Sequence, residues 1–307
     1  MWGGGMRYSK PPLTIEEQID LLLSRGLDIP DRELASHYLR HLNYYRLCAY
    51  WLPLEASHDP HRFLPGASFD AVLNSYLFDR ELRLLVLDAV ERIEISLRTQ
   101  WAYHFSHRYG PHAYLKATLF KPRWDHATNV AKLKQAVASS REIFIRHFSH
   151  RYDEALPPIW ALVEVMSIGQ LSKWIANMRH GRDRNRIARE YGMDEINLIS
   201  YLHHLSVVRN LCAHHNRLWN REFTFTFKLP KKTPQTLLPV LNRKAPRKIY
   251  NTLVMLAHLM DVICPNHHFR PHLSQLLDRY EMDERTMGFP TDWQNTPFWQ
   301  HQGDDKP

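Results

Sequence analysis

Asp70 to His107 reads DAVLNSYLFDRELRLLVLDAVERIEISLRTQWAYHFSH, a long run without glycine or proline. Phe78, Leu82, Leu85, Ala89 and Ile93 recur at steps of three and four, which predicts one long helix with a buried stripe. Arg80, Arg83, Glu91, Arg92 and Glu94 occupy much of the remaining circumference, and Gly110-Pro111 stops the pattern. A helix of this length needs other helices to cover its stripe, so the neighbouring segments decide the fold.

Towards the N-terminus, His58 to Phe69 (HDPHRFLPGASF) reads as a loop rich in Pro, Gly and His. Before it, Thr14-Ile15-Glu16-Glu17 is a capping box opening a helix with Ile19, Leu22 and Leu23 on one side and Gly26 at its end. Asp31 caps a second helix through His37, Leu42 and Tyr45, and Pro53 breaks the chain. Two short helices joined by SRGLDIP resemble a helix-turn-helix. The second exposes no set of base-reading side chains, so helix–helix packing is the expected use. The opening MWGGGMRYSK is expected to be disordered and has no apolar leader region.

Towards the C-terminus, helices are predicted from Asp125 to about Ser139 and from Arg141 to His150. Another runs from Pro157-Pro158 to Gly181, with Trp160, Val163, Met166, Leu171 and Trp174 as core. RDRNRIAREYG is a short basic helix. Asp194 caps the next, which passes through Ile196, Ile199, Leu202, Leu205 and Val208. Phe223 to Leu229 (FTFTFKL) is the only clean period-two pattern; a lone strand makes no sheet, so an extended arm is expected. A last helix spans Arg247 to Ile263, and the tail beyond Pro265 is expected to be mostly irregular. The fold class is therefore all-α, a helical bundle. It divides into an N-terminal helical extension (1–60), a helical core (61–265) and a tail packed on or trailing from the core (266–307).

Forty basic against 32 acidic residues leave a net charge of +8 and a pI near 9.4, a positive field suited to polyanions. Cys48, Cys212 and Cys264 form no CxxC pair, so neither a disulfide framework nor a zinc knuckle is expected. With no apolar span of membrane length, a soluble cytoplasmic protein is the expectation. The adjacent pairs His203-His204, His214-His215 and His267-His268 diverge by about 100° on a helix. No HExxH accompanies them, so neither a metal nor a cofactor is expected.

The chemistry gathers in Val207 to Arg221 (VVRNLCAHHNRLWNR). Cleaving RNA without a metal requires a proton taken from the 2′-hydroxyl, charge stabilisation on the phosphorane and a proton given to the 5′-oxygen. Histidine suits the proton transfers and the forked arginine suits the phosphate. Arg209 and His214 are five apart, roughly 140° around a helix. Either the helix distorts, or a symmetric dimer completes the site, which is preferred. Asn210 lies four residues before His214, placed to orient the histidine or donate to the phosphate.

Arg209-Asn210-Leu211-Cys212-Ala213-His214 resembles the Arg, four-to-six residues, His signature of the HEPN ribonucleases. Three segments resemble the AbiD/AbiF-type abortive-infection proteins of that superfamily: HLNYYRLCAYWLPLE (His41 to Glu55), Phe78 to Phe105, and VRNLCAHHNRLWNR (Val208 to Arg221). The resemblance covers most of residues 10–265. It implies a HEPN-type bundle, a homodimer, and a metal-independent endoribonuclease acting as a toxin against phage-infected cells. A small structured RNA is an implied restraining partner. Arg209, Asn210 and His214 match the family's catalytic positions.

Candidate RNA contacts are His215, Arg217, Arg221, Lys231 and Lys232, with Arg98 and His104 as a second Arg, five residues, His string. Glu94 stands four residues before Arg98 and is expected to pair with it. RHGRDRNRIARE, KLPKKTP and NRKAPRK could line a phosphate track beside Trp219, Phe223 and Phe225. The competing readings are a non-catalytic RNA- or DNA-binding regulator, using the basic surface, and a mononucleotide-binding regulator.

Overall fold

A computed structural model describes residues 11–300; the glycine-rich opening lies outside the described residues, as does the tail beyond Gln300. Thirteen α-helices and one two-stranded sheet form the regular structure among the described residues, so the chain is all-α. No helix among them is long and apolar enough to cross a membrane. The chain divides into two compact units between Arg80 and Glu81.

In the first unit, α1 (Ile15–Ser24) starts from the expected capping box. Glu17 N–H donates to Thr14 Oγ1 at 3.2 Å, and Thr14 N–H donates to Glu17 Oε2 at 2.7 Å. Gly26, at φ +89°, turns the chain out of the helix in a conformation that favours glycine. Asp31 caps α2 (Arg32–His41) by accepting from Leu34 N–H at 2.8 Å. The two helices pack on each other, burying Ile19, Leu22, Ala35 and Leu39. Across their exposed side Arg32 reaches Glu16 and Asp20 at 3.1 and 2.9 Å.

After α3 (Tyr44–Trp51) and a tight turn holding Pro53, the chain forms a hairpin whose second strand lies in the segment read as a loop. β1 (Glu55–His58) pairs antiparallel with β2 (His61–Phe63). Strands of four and three residues are too short to show an alternation in sequence, which is why only the Pro and Gly were legible.

The helix α4 (Phe69–Tyr109) runs 41 residues, about 60 Å. Phe78, Leu82, Ala89 and Ile93 are buried as predicted; Leu85 is half-buried and Val86 takes the inward place. In the second unit the stripe continues through Leu97, Trp101 and Phe105. There α4 meets an aromatic cluster in which Trp174 stands edge-on to Phe120 and Trp124, with centroids 5.0 and 4.7 Å away.

α5 (His126–Ser139) and α6 (Ile143–Arg151) follow at the expected places. The single helix expected from Pro157 to Gly181 is two. α7 (Ile159–Leu162) tightens into a turn, Met166 is extended, and Ser167 opens α8 (Ile168–Asn177) with its own capping box to Gln170. Ser-x-x-Gln is a start signal inside an apolar run, and the local cap outweighs continued periodicity. Trp160, expected in the core, is 53% exposed; it lies in α7, before the break, so the face buried along α8 does not extend to it. Gly181 opens α9 (Gly181–Arg189) rather than closing the helix before it.

α10 (Glu195–Ala213) packs beside α8 and α9. FTFTFKL forms neither a strand nor a free arm. Phe223 and Phe227 are buried and Phe225 is 38% exposed, so the alternation is real but its partner is a helix. Phe227 packs edge-on to Tyr201, with centroids 5.0 Å apart. α11 (Tyr250–Ile263) is apolar on most sides and correspondingly buried. α12 (Phe269–Arg279) and the short α13 (Pro297–Gln300) occupy the tail. Its described part returns to α11, where Trp299 Nε1–H donates to Tyr250 Oη at 3.1 Å.

Candidate active site

The start of α10 is fixed by Asp194, whose carboxylate accepts from the Ile196 and Asn197 N–H groups, each at 2.9 Å. Leu198, Tyr201, Leu202, Leu205, Val208 and Cys212 supply the buried stripe. Tyr201 Oη–H donates to the Thr252 carbonyl of α11 at 3.1 Å. Ile196, read as part of the apolar side, is 58% exposed. With that face locked inward, the last turn presents Arg209 half-buried and Asn210 and His214 exposed.

The helix ends in a defined way. His214 N–H still donates to Asn210 O at 3.0 Å, His215 N–H to Cys212 O at 3.0 Å, and Asn216 N–H to Leu211 O at 2.8 Å. The last two bonds, with His215 at φ 57°, make a Schellman closure. Histidine stands where glycine or asparagine is the easy choice, as Glu281 does at the end of α12. Beyond it, Leu218 and Trp219 are buried and return the chain to the core. The α10 backbone is therefore undistorted between Arg209 and His214.

Arg209 Nη1–H donates to Asn210 Oδ1 at 3.3 Å. Asn210 thus holds the arginine, where the sequence pointed to the histidine or a phosphate. The His214 ring has no hydrogen bond among the described residues. Arg209 also lines an open cleft of about 540 Å³ with Arg98, Asp88, Glu91 and Glu94. These acidic neighbours were missed, although Glu91, Glu94 and Arg98 follow a helical spacing on one face of α4.

Arg98 is heavily committed. It reaches Glu94 at 2.6 Å, Glu164 at 3.2 Å and the Met166 carbonyl at 2.8 Å. His104 lies 3.1 Å from Glu190 Oε1. The second Arg, five residues, His string is thus held by carboxylates, and its two members have separate partners. Arg217 sits over the Trp219 ring at 6.0 Å, and Arg221 donates to the Arg217 carbonyl at 3.2 Å. His215, Lys231 and Lys232 are exposed.

Another cleft, of about 450 Å³, carries Lys121, Lys173, Arg184 and Lys228 with His203 and Phe225. Burial, and then Arg184 beside it, push the Lys121 ammonium below the usual lysine range. Of the three aromatics offered for base stacking, Trp219 and Phe223 are buried and Phe225 is the accessible one. Phe225 stands edge-on to His203 with centroids 4.4 Å apart.

His204, next along, is structural. Its Nε2 lies 2.8 Å from Thr252 Oγ1 and its Nδ1 lies 3.1 Å from the Phe225 carbonyl. Burial pushes its pKa down to about 4 despite that carbonyl. Among the described residues, one group of three His, Cys, Asp or Glu side chains brings its ligand atoms within 4.8 Å of one another. It is Glu55, His58 and His61, in the first unit.

A family model described as Abi-like protein matches residues 37–220, a span that includes α10 and the whole Arg209–His214 string. No curated protein and no solved structure matches the chain.

Proposed function

The chain belongs to the Abi-like protein family of abortive-infection proteins, and on that premise we propose that it is a metal-independent endoribonuclease of the HEPN type. In this reading it is an AbiD/AbiF-type toxin that acts in the cytoplasm of phage-infected cells as a homodimer, restrained by a small structured RNA. The observation that carries the proposal is the disposition of Arg209 and His214. Each projects from the closing turn of a helix whose other face is buried, and Arg209 has Asn210 as its hydrogen-bond partner.

Arg209 binds the scissile phosphate through its fork and stabilises the phosphorane. Asn210 keeps the guanidinium aimed. His214 transfers the proton. The 2′-oxygen loses its proton and bonds to phosphorus, the bond from phosphorus to the 5′-oxygen breaks, and that oxygen takes a proton. The products are a 2′,3′-cyclic phosphate and a 5′-hydroxyl. In the dimer the phosphate held by Arg209 of one protomer is met by His214 of the other, so a symmetric pair holds two such composite sites. RNA beyond the scissile phosphate follows the cations at Arg217, Arg221, Lys231 and Lys232 and the cleft at Phe225.

Incubating the protein with mixed RNA in EDTA tests the reading. Cleavage that disappears in His214→Ala supports it. Cleavage that survives this substitution contradicts the assignment. Tight RNA binding without cleavage, after any co-purifying RNA has been removed, favours the non-catalytic regulator.

A further inference from the structure

The hairpin β1–β2 of the first unit gathers three side chains that the proposed cleavage does not use. Glu55 opens β1, with its side chain 1% exposed. His58 closes β1 and pairs with His61, the first residue of β2; their side chains are 66% and 42% exposed. Both imidazoles turn Nδ1 to the same oxygen, Glu55 Oε2, His61 at 3.2 Å and His58 closer. The other oxygen, Oε1, is buried and has no hydrogen-bond partner.

That arrangement leaves a carboxylate withdrawn from water with no permanently charged group paired to it among the described residues. The groups ion-paired to Glu55 among the described residues are the two histidines, with no lysine or arginine. Removing a carboxylate from solvent is costly unless a cation or a full set of donors compensates. Here one oxygen is shared by two donors and its twin has none. A divalent cation would supply the charge at the point on which all three groups converge.

The donor set selects the ion. Two imidazole nitrogens and one carboxylate suit a borderline cation such as Zn²⁺, which takes His₂Glu ligands in tetrahedral geometry with water in the fourth place. Mg²⁺ and Ca²⁺ favour all-oxygen shells. We propose that Glu55, His58 and His61 form a Zn²⁺ site that clamps the β1–β2 hairpin. Both histidines coordinate through Nδ1 and leave Nε2–H towards solvent. The ion links the two strands and neutralises the buried carboxylate. It involves none of the residues proposed for cleavage.

The test uses the full-length protein, stripped with EDTA, desalted, and titrated with Zn²⁺ against a chromophoric indicator near neutral pH. One tight equivalent is expected, with a rise in the thermal midpoint. The double variant His58→Asn/His61→Asn should lose both, and each single variant should weaken binding by more than the roughly 10–100-fold cost of removing a mere supporting partner. Because both rings are largely exposed, these variants are expected to fold, which circular dichroism checks. Co²⁺ in place of Zn²⁺ should give visible absorption in wild type alone. A wild-type protein that binds no tight equivalent, or a double variant that keeps it on one of the chain's other histidines, overturns the proposal.

Discussion

The backbone N–H of His214 donates to the carbonyl oxygen of Asn210 at 3.0 Å, the same bond that runs through the body of α10. The helical path is therefore intact from Arg209 to His214, and the two side chains leave it about 140° apart. A distorted helix end was the alternative to a shared site, and the regular bond at His214 favours the shared site. A second copy of the chain is what the proposed chemistry then requires.

Substitutions at the proposed centre should separate by role. His214→Ala is expected to reduce single-turnover cleavage by about 10²–10⁴-fold, the range for a lost general acid or base. Arg209→Lys keeps the charge but loses the fork, and should cost about 10²-fold. Asn210→Ala should fall between wild type and Arg209→Lys, since it removes only the 3.3 Å bond that aims the guanidinium. Unchanged thermal midpoints would show that these losses are not losses of fold.

Arg98 should behave as a structural residue. It and Glu94 are 17% and 12% exposed and 2.6 Å apart, so Arg98→Ala strands a nearly buried carboxylate. A loss of about 2 kcal/mol is expected, below the range for fully buried pairs because some solvent reaches this one. Urea denaturation measures it. RNA affinity of the folded variant should stay within a few-fold of wild type; a large loss of affinity at unchanged stability would return Arg98 to the RNA-contacting set.

Stability should carry the signature of His204. Its folded pKa of about 4 lies below the ordinary histidine value of 6.5. Between those values the unfolded chain holds a proton that the folded chain lacks. Stability from this residue is thus complete above pH 6.5, declines as pH falls, and is lost below about 4. The full extent is about 3 kcal/mol. Urea unfolding at several pH values should show His204→Gln with a shallower acid decline than wild type; parallel curves would contradict the assignment.

The cap of α10 offers a control. Asp194→Ala removes the acceptor for two N–H groups and should cost about 1 kcal/mol. Cleavage per folded molecule should be unchanged, because the cap lies at the far end of the helix from His214.

Much of the fold was legible because long helices carry their own period. The stripe through Phe78, Leu82, Ala89 and Ile93, the box at Thr14–Glu17 and the cap at Asp194 all rest on local chemistry. The reading failed where a local start signal interrupted an apolar run, at Ser167, and where strands were too short to alternate visibly, at Glu55–Phe63. It also failed where a period-two pattern met a helix instead of a sheet, at Phe223–Phe227. The Glu94 partner of Arg98 was findable by spacing, the same kind of signal on which the proposed roles of Arg209 and His214 rest. The Asp88, Glu91 and Glu94 lining beside Arg209 needed the fold, since no spacing rule brings α4 to α10.

The central claim is that one phosphate is served by Arg209 of one protomer and His214 of the other. Co-expressing Arg209→Ala and His214→Ala chains tests it most directly. Random pairing makes half the dimers mixed, and each mixed dimer holds one intact composite site of two, so about a quarter of wild-type cleavage should return. A co-expressed pair that forms mixed dimers yet stays as inactive as either variant alone would contradict the claim.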